Sequence, residues 1–461
     1  MTSPVSLTRG SVGLGFRVEV AADLLADPRT ADFVEVVAEA CFASPAARRE
    51  AVALARVWPV VPHGVKLSLG SAEGIDVDRA KRLGALAREL ASPVITEHVA
   101  FVRAGGREIG HLTQVPFTRE AVRVVAKNVA AARRHLPDVP FHLENAAWTF
   151  RWPGDEIDEA SFYAEIVAAT GCELLLDLGN LYANAINAGA DPVAVLDAYP
   201  LEHVAMIHIA GGVTEDGFYF DTHAHAVPDP VFDLLARVVA RIGPVPVVLE
   251  RDDEFPPFER LRAELGRAKE ILGRADPIAM SPPRHEASSS LSREDEMKDD
   301  AGAMARAQAR LAVMLTANDE PPIDEVRPFG EPAIRRSREV LRQKRVDDAL
   351  PILSNLIPHR ELVRPLAQAC LADAPRAPAF AGIADAIRIA RRAAENPDIA
   401  PAARLDLLLL RSRFVGSADD GSLRARVGPF VGREKLPGGK VVWAVKGLGG
   451  AAGVRIFETR G

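Results

Sequence analysis

The chain has 461 residues, 48% of them hydrophobic, with 56 basic and 63 acidic residues and a formal net charge of -7. That balance argues against a nucleic-acid binder, which needs a basic surface for phosphate contacts. No apolar run reaches the ~18–20 residues of a membrane span, MTSPVSLTRG has no apolar signal core, and three cysteines, Cys41, Cys172 and Cys370, far apart and without a C-x-x-C, do not suggest a disulfide framework, so a cytoplasmic protein of two or three domains is the expectation.

From residue 11 to about residue 275 a short apolar, β-rich run alternates with a longer amphipathic stretch. The β-rich runs are SVGLGFRVEV, FVEVVAE, VWPVVPHG, SPVITEHV, VPFHLEN, CELLLDLGN, VAMIHIAGG and VPVVLERD. Continuous Val/Ile/Leu runs are the mark of strands buried on both faces. Between them DVDRAKRLGALAREL and FTREAVRVVAKNVAAARRHL carry helical spacing, the second with Thr118 as its N-cap. Eight such units over roughly 250 residues predict an α/β fold, a (β/α)8 TIM barrel spanning residues 1–274. Residues 275–303, rich in Pro, Ser and charge, read as a flexible linker. Residues 304–461 read as a mainly helical C-terminal domain that ends in a short β-hairpin, GGKVVWAVKGLGGAAGVRIFETRG. Within it IRRSREVLRQKR, with six basic residues, reads as a solvated helix face, or as a receiver for an acidic peptide.

The ends of the barrel strands carry the chemistry. The third run ends at His63, the fourth in Glu97-His98 and the fifth in Glu144-Asn145. The sixth ends in Asp177-x-x-Asn180, the seventh at His208 and the eighth at Glu250, and DTHAHAV after the seventh holds Asp221 and His223. Carboxyl ends of barrel strands converge on one mouth. A single strand-end His is more often a hydrogen-bonded polar residue than a ligand; recurrence at consecutive ends is what carries the reading. Imidazole and carboxylate without thiolate suit Fe, Zn or Mn. The set is too large for one ion, and a carboxylate such as Glu144 can bridge, so two or three metals fit. His225 breaks the run, as a supporting or merely solvated residue, and Trp148 follows Glu144 closely enough to line the mouth.

These stretches, HGVKLSLGS, TEHVAF, LENAAW, GCELLLDLGNLYANAINAG, HIAGG, DTHAHAV and LERDDEFP, resemble the multinuclear nonheme iron-dependent oxidase family, that of the methanobactin-synthesising oxidase, from residue 11 to about 272. The resemblance implies a xylose-isomerase-like barrel with two or three iron ions, a mixed Fe(II)/Fe(III) pair among them, and O2 as co-substrate. It implies that His63, His98 and Glu144 hold one iron. Glu144 then bridges to a second, held also by Asp177, His208 and Glu250, and Asn180, Asp221 and His223 form a third, more labile site. Glu144, Asp177 and His208 would be the catalytic core, with Asn145, Trp148, His225 and Arg251 as supporting or substrate-facing residues. Asn180 stands where related barrels often carry His, and Arg251 where many members carry Trp. The implied activity is oxidation of cysteine, or another residue, in a ribosomally made precursor peptide. A partner protein, or the C-terminal domain as its fused equivalent, would present that peptide. The alternatives are an endonuclease-IV-like phosphodiesterase with three zinc ions and a sugar-isomerase-like metal enzyme.

Overall fold

Each of the apolar runs forms a strand in the computed structural model, which describes residues 7–274, 297–317, 319–372, 374, 381–419, 422–447 and 454–460. The strands are β1 (Val12–Gly15), β2 (Phe33–Val37), β3 (Val60–Gly64), β4 (Ile95–His98), β5 (Phe141–Glu144), β6 (Leu174–Asp177), β7 (Val204–Ile209) and β8 (Val247–Leu249). They close in sequence order, with β8 returning to β1, and every barrel pairing is parallel. This is the (β/α)8 barrel that the alternation of runs predicts.

Strand periodicity separates a plug from a chemical layer. Phe33, Val61, Val94, Leu175, Met206 and Val248 form one buried apolar cluster. Gly13 on β1 makes room for it, because a Cβ there would lie 2.6 Å from the Phe33 ring. Two residues further along a strand the side chain returns to the same face. That step leads from the plug to Glu35, His63, Thr96, Asp177, His208 and Glu250, and on β5 from His142 to Glu144. Register holds the layer level: His63 pairs with Thr96, His98 with Glu144 and Asp177 with His208.

Helices cover the strands, and their starts follow the capping signals. Asp76 accepts from Asp78 N and Arg79 N at the start of Val77–Glu89, and Thr118 accepts from Ala121 N at the start of Arg119–Arg133. Within the first of these, Gly84 lies against the His135 carbonyl, 2.0 Å from where a Cβ would stand. Gly84→Ala should therefore destabilise the barrel by roughly 1–3 kcal/mol, even though alanine gains about 1 kcal/mol in helix propensity. A lower urea midpoint followed by tryptophan fluorescence is the expected observation; an unchanged or raised midpoint would show that the helix shifts freely.

By their contacts the described residues fall into two compact units, one within 1–105 and 112–308, the other within 106–111 and 309–461. Of the expected linker, residues 275–296 lie outside the described residues, and a helix runs Met297–Thr316. In the second unit Leu353, Leu356, Val363, Ile389 and Leu410 belong to one buried cluster shared by helices Glu331–Ala349, Arg360–Ala372, Ala381–Ala393 and Ala400–Arg413. The basic stretch is only partly a solvated face. Arg338 is buried and donates to the Met314, Ala317 and Asp319 carbonyls, and Arg345 pairs with Asp385 at 2.8 Å. Two of the six basic residues are thus used inside the unit because buried guanidinium groups must be paired. The terminal hairpin, Lys440–Lys446 with Val454–Arg460, gains a third antiparallel strand, Phe430–Lys435. Among the described residues no helix is long and apolar enough to cross a membrane.

Candidate metal centre

At the carboxyl ends of the strands two buried groups of side chains could each hold a metal ion, His63–His98–Glu144 and Glu144–Asp177–His208–Glu250. Glu144 belongs to both. Its Oε2 lies 3.5 Å from His63 Nε2 and 3.5 Å from His98 Nε2, while Oε1 lies 3.3 Å from His208 Nδ1. His208 Nδ1 is also 3.1 Å from Glu250 Oε2 and 4.0 Å from Asp177 Oδ2.

The three imidazoles and Asp177 are each aimed by a contact at the far side of the residue. His63 Nδ1 is 2.8 Å from Thr96 Oγ1, and His98 Nδ1 is 3.3 Å from the Gly64 carbonyl, so both present Nε2 to Glu144. His208 is turned the other way: Nε2 meets Glu35 Oε1 at 3.1 Å, and Nδ1 faces the carboxylates. Asp177 ends β6 and caps the helix Leu178–Asn187 that follows at once, its Oδ1 accepting from Asn180 N at 2.6 Å. Asn145 locks the same corner, accepting from Asp177 N and donating to the Asp177 carbonyl.

Whether these residues suit a metal can be tested on the atoms left over. Both carboxylate oxygens of Glu144, Asp177 Oδ2, His208 Nδ1 and Asp221 Oδ1 are buried without a hydrogen-bond partner. Buried polar atoms are almost always partnered, and these are the atoms that converge. A cation fits the donor set; a purely structural network would have satisfied it with hydrogen bonds.

The electrostatics without a cation show the same cost. Burial pushes the Glu144 carboxyl up to about 8, against the pull of His208, with Glu250 and Asp177 adding to the rise. Burial, with Asp221, pushes Asp177 up to about 7. Burial drives His63 well below its ordinary value and His98 down to about 4. Burial opposes charge on His208 and His223 too, but the surrounding carboxylates prevail and hold both imidazoles well above their ordinary value. Metals bind neutral imidazole and ionised carboxylate, so His63 and His98 stand ready, while Glu144, Asp177, His208 and His223 would release protons on loading.

The remaining candidates divide. Asp221 and His223 lie on an edge strand, Phe218–His225, paired with Gly211–Glu215. His223 has φ 52, a left-handed backbone, and its ring faces Asp177 and Glu250. Its Nε2 is 2.6 Å from Asp221 Oδ2 and 4.0 Å from Asp177 Oδ2, and its Nδ1 is 3.3 Å from Glu250 Oε2. Asn180 is buried, with its Nδ2 donating to the Asn145 carbonyl at 2.9 Å. His225 is exposed and pairs with Thr222 Oγ1 at 3.0 Å. Trp148 is buried, its indole donating to Glu159 Oε2 at 3.4 Å, and Arg251 is buried against Glu264 at 3.3 Å. Two residues escape a reading of strand ends, Glu35 and Thr96. Both sit two positions before the end of their strand, and a carboxylate inside the apolar run FVEVV is the signal for the first.

A family model described as RiPP precursor modification enzyme MbnB/TglH/ChrH matches residues 11–273. A UPF0276 protein of Streptomyces avermitilis is 43% identical over 270 residues, a match covering 57% of this chain and 55% of that protein. UPF0276 proteins of Caulobacter vibrioides and Chromobacterium violaceum are 37% and 38% identical, each match covering 58% of this chain and 96% of theirs. Among solved structures, endonuclease IV from Thermus thermophilus is similar at 20% identity and a TM-score of 0.39, over 56% of this chain and 99% of that one. A xylose isomerase domain protein from Planctomyces limnophilus is similar at 18% identity and a TM-score of 0.38, over 58% and 97%. The barrel assignment rests on the closed strand order rather than on these structural likenesses.

Proposed function

Because this chain belongs, through residues 11–273, to the MbnB/TglH/ChrH family of RiPP precursor modification enzymes, we propose that it is an iron-dependent, O2-using oxidase that modifies cysteine, or another residue, of a ribosomally made precursor peptide. The observation that supports it most is Glu144: one buried carboxylate, its oxygens facing three imidazole nitrogens at 3.3–3.5 Å, common to two groups of ligand-type side chains. In this reading His63, His98 and Glu144 hold one ion, and Glu144, Asp177, His208 and Glu250 a second. Asn180, Asp221 and His223 surround a third position. An all nitrogen and oxygen donor set suits iron, and also zinc.

Iron bound there would supply the activation of O2 and the lowering of a substrate thiol's pKa. The protein's own residues do the rest. Thr96, Gly64 and Glu35 fix the three imidazoles by their outer nitrogens. The apolar layer beneath, from Phe33 to Val248, closes the barrel floor and keeps water from reaching the ligands from below. The second unit is proposed to present the precursor peptide.

Elemental analysis of protein purified without oxygen, with Mössbauer spectra on an iron-57 sample, tests the reading. Two or three irons per chain with a mixed-valent pair are expected. About three zinc ions and no iron, even from iron-supplied cells, would replace it by a phosphodiesterase. The same assay separates the histidines of the edge strand: His223→Ala should lower metal content by about one ion per chain, and His225→Ala should leave it unchanged. Equal losses would place His225 in the site.

A further inference from the structure

We propose that Glu35 is a positioning residue common to both ligand groups, a single carboxylate that fixes one imidazole of each. The inference rests on the metal-site reading and extends it to a residue that belongs to neither group.

Glu35 is 2% exposed, in the middle of β2. One arm of its carboxylate acts directly. Oε1 and Oε2 lie 3.1 and 3.3 Å from His208 Nε2. An imidazole whose Nε2–H is held in this way presents Nδ1, as the nitrogen free to lose its proton, to whatever Glu144 and Glu250 also face. The other arm acts through Thr96, whose Oγ1 donates to Glu35 Oε2 at 3.5 Å and stands 2.8 Å from His63 Nδ1. A hydroxyl donates one hydrogen bond while accepting others. The sequence His63 Nδ1–H to Thr96, Thr96 O–H to Glu35 is therefore self-consistent, and it leaves His63 Nε2 bare toward Glu144. His98 is outside this wiring, because its outer nitrogen is held by the Gly64 backbone carbonyl. The geometry thus assigns Glu35 a direct hold on the Asp177–His208–Glu250 position, a relayed hold on the His63–His98 position, and none on His98 itself.

The test is a Co(II) titration of metal-free protein under nitrogen, followed by the visible absorption of the bound ion, which reports ligand number and geometry. Wild type, Glu35→Gln, Glu35→Ala and Thr96→Val are compared, with Asp177→Ala and His98→Ala to assign the two binding steps. Removal of such a supporting contact typically lowers metal affinity about 10–100-fold. Glu35→Ala is expected to do so at the Asp177–His208 step, with a smaller loss and an altered spectrum at the other. Glu35→Gln, nearly isosteric, should fall between, since its carbonyl still accepts from His208. Thr96→Val should weaken the His63–His98 step alone.

Wild-type affinities and spectra in both Glu35 variants would overturn the proposal and leave the metal sites standing. Equal losses at both steps in Thr96→Val would overturn the relay. No Co(II) uptake by wild type would overturn the metal-site reading itself, and this inference with it. Should Glu35→Ala fail to fold by circular dichroism, Glu35→Gln and Thr96→Val decide the matter. A purely structural role would lower their melting temperature without moving the Co(II) spectrum.

Discussion

Glu144→Ala is expected to purify folded and with neither of the two shared-ligand positions filled. Most ligand substitutions empty one site; this one should empty two, because the same side chain faces His63 and His98 with Oε2 and His208 with Oε1. The loss at each position should be on the order of 100-fold or more in affinity, beyond what an outer contact contributes. Folding should survive for a reason visible in the contacts: the Glu144 oxygens face only imidazole nitrogens, none closer than 3.3 Å. The carboxylate therefore costs the metal-free fold desolvation and returns little to it. Metal-free Glu144→Ala should be at least as stable as metal-free wild type, while the metal-loaded wild type should exceed both. Asp177→Ala is the control, because it belongs to one group only. Elemental analysis gives the answer. A Glu144→Ala protein with full iron content would show that the carboxylate does not bridge, whatever its position suggests.

Much of this centre is legible in the order of residues alone, and the part that is not has a definable cause. His63, His98, Glu144, Asp177, His208 and Glu250 stand at or beside the last residue of a strand, where the chain leaves the barrel. Strand ends are enough to find them. Glu35 and Thr96 lie earlier in their strands, followed by Val36-Val37 and Glu97-His98. A different rule finds them, the step of two from an apolar plug residue: Phe33 to Glu35, Val61 to His63, Val94 to Thr96, Leu175 to Asp177, Met206 to His208, Val248 to Glu250. That rule follows from strand pleat, but it requires knowing which residues form the plug, and these runs are apolar on both faces. Only closure of the barrel separates inside from outside. The edge strand is a second case. Asp221 and His223, two apart, share a face as a strand predicts, but the left-handed backbone at His223 is encoded by no side-chain pattern. The buried Arg338 and Arg345 are a third: helical spacing marks a basic face, and only packing decides that Asp385 lies opposite one of them.

The metal-free protein should lose stability as pH rises from 6.5 to 8, and the metal-loaded protein should not. The sign follows from the buried groups. Glu144 is pushed up to about 8 and Asp177 to about 7, first of all by burial. A carboxyl raised in this way holds a proton in the folded chain that the unfolded chain has released. Its contribution is complete below the ordinary carboxylate range and disappears as pH climbs through the folded value. His208 and His223, held protonated above their ordinary 6.5 by the carboxylates around them, act in the same direction. The opposing groups have nearly finished by then. Glu250 is held well below its ordinary 4.5, chiefly by His208 against the effect of burial, and adds stability only up to about that pH. His63 and His98, lowered by burial, add stability only up to about 6.5. Above 6.5 only the last few tenths of a kcal/mol from each lowered imidazole, His142 included, oppose the loss. One retained proton corresponds to about 1.4 kcal/mol per pH unit, so a loss on the order of 1–3 kcal/mol across the window is expected. That is roughly 2–8 °C in melting temperature for a barrel of this size. Bound cations take the place of those protons, so the loaded protein should show a flat profile and release protons on loading. Melting curves of chelator-treated and reloaded protein at pH 6.5 and 8 make the comparison. A metal-free melting temperature that holds or rises across the window would mean that the carboxylates are not kept protonated by burial, and that the centre is wetter than its geometry implies.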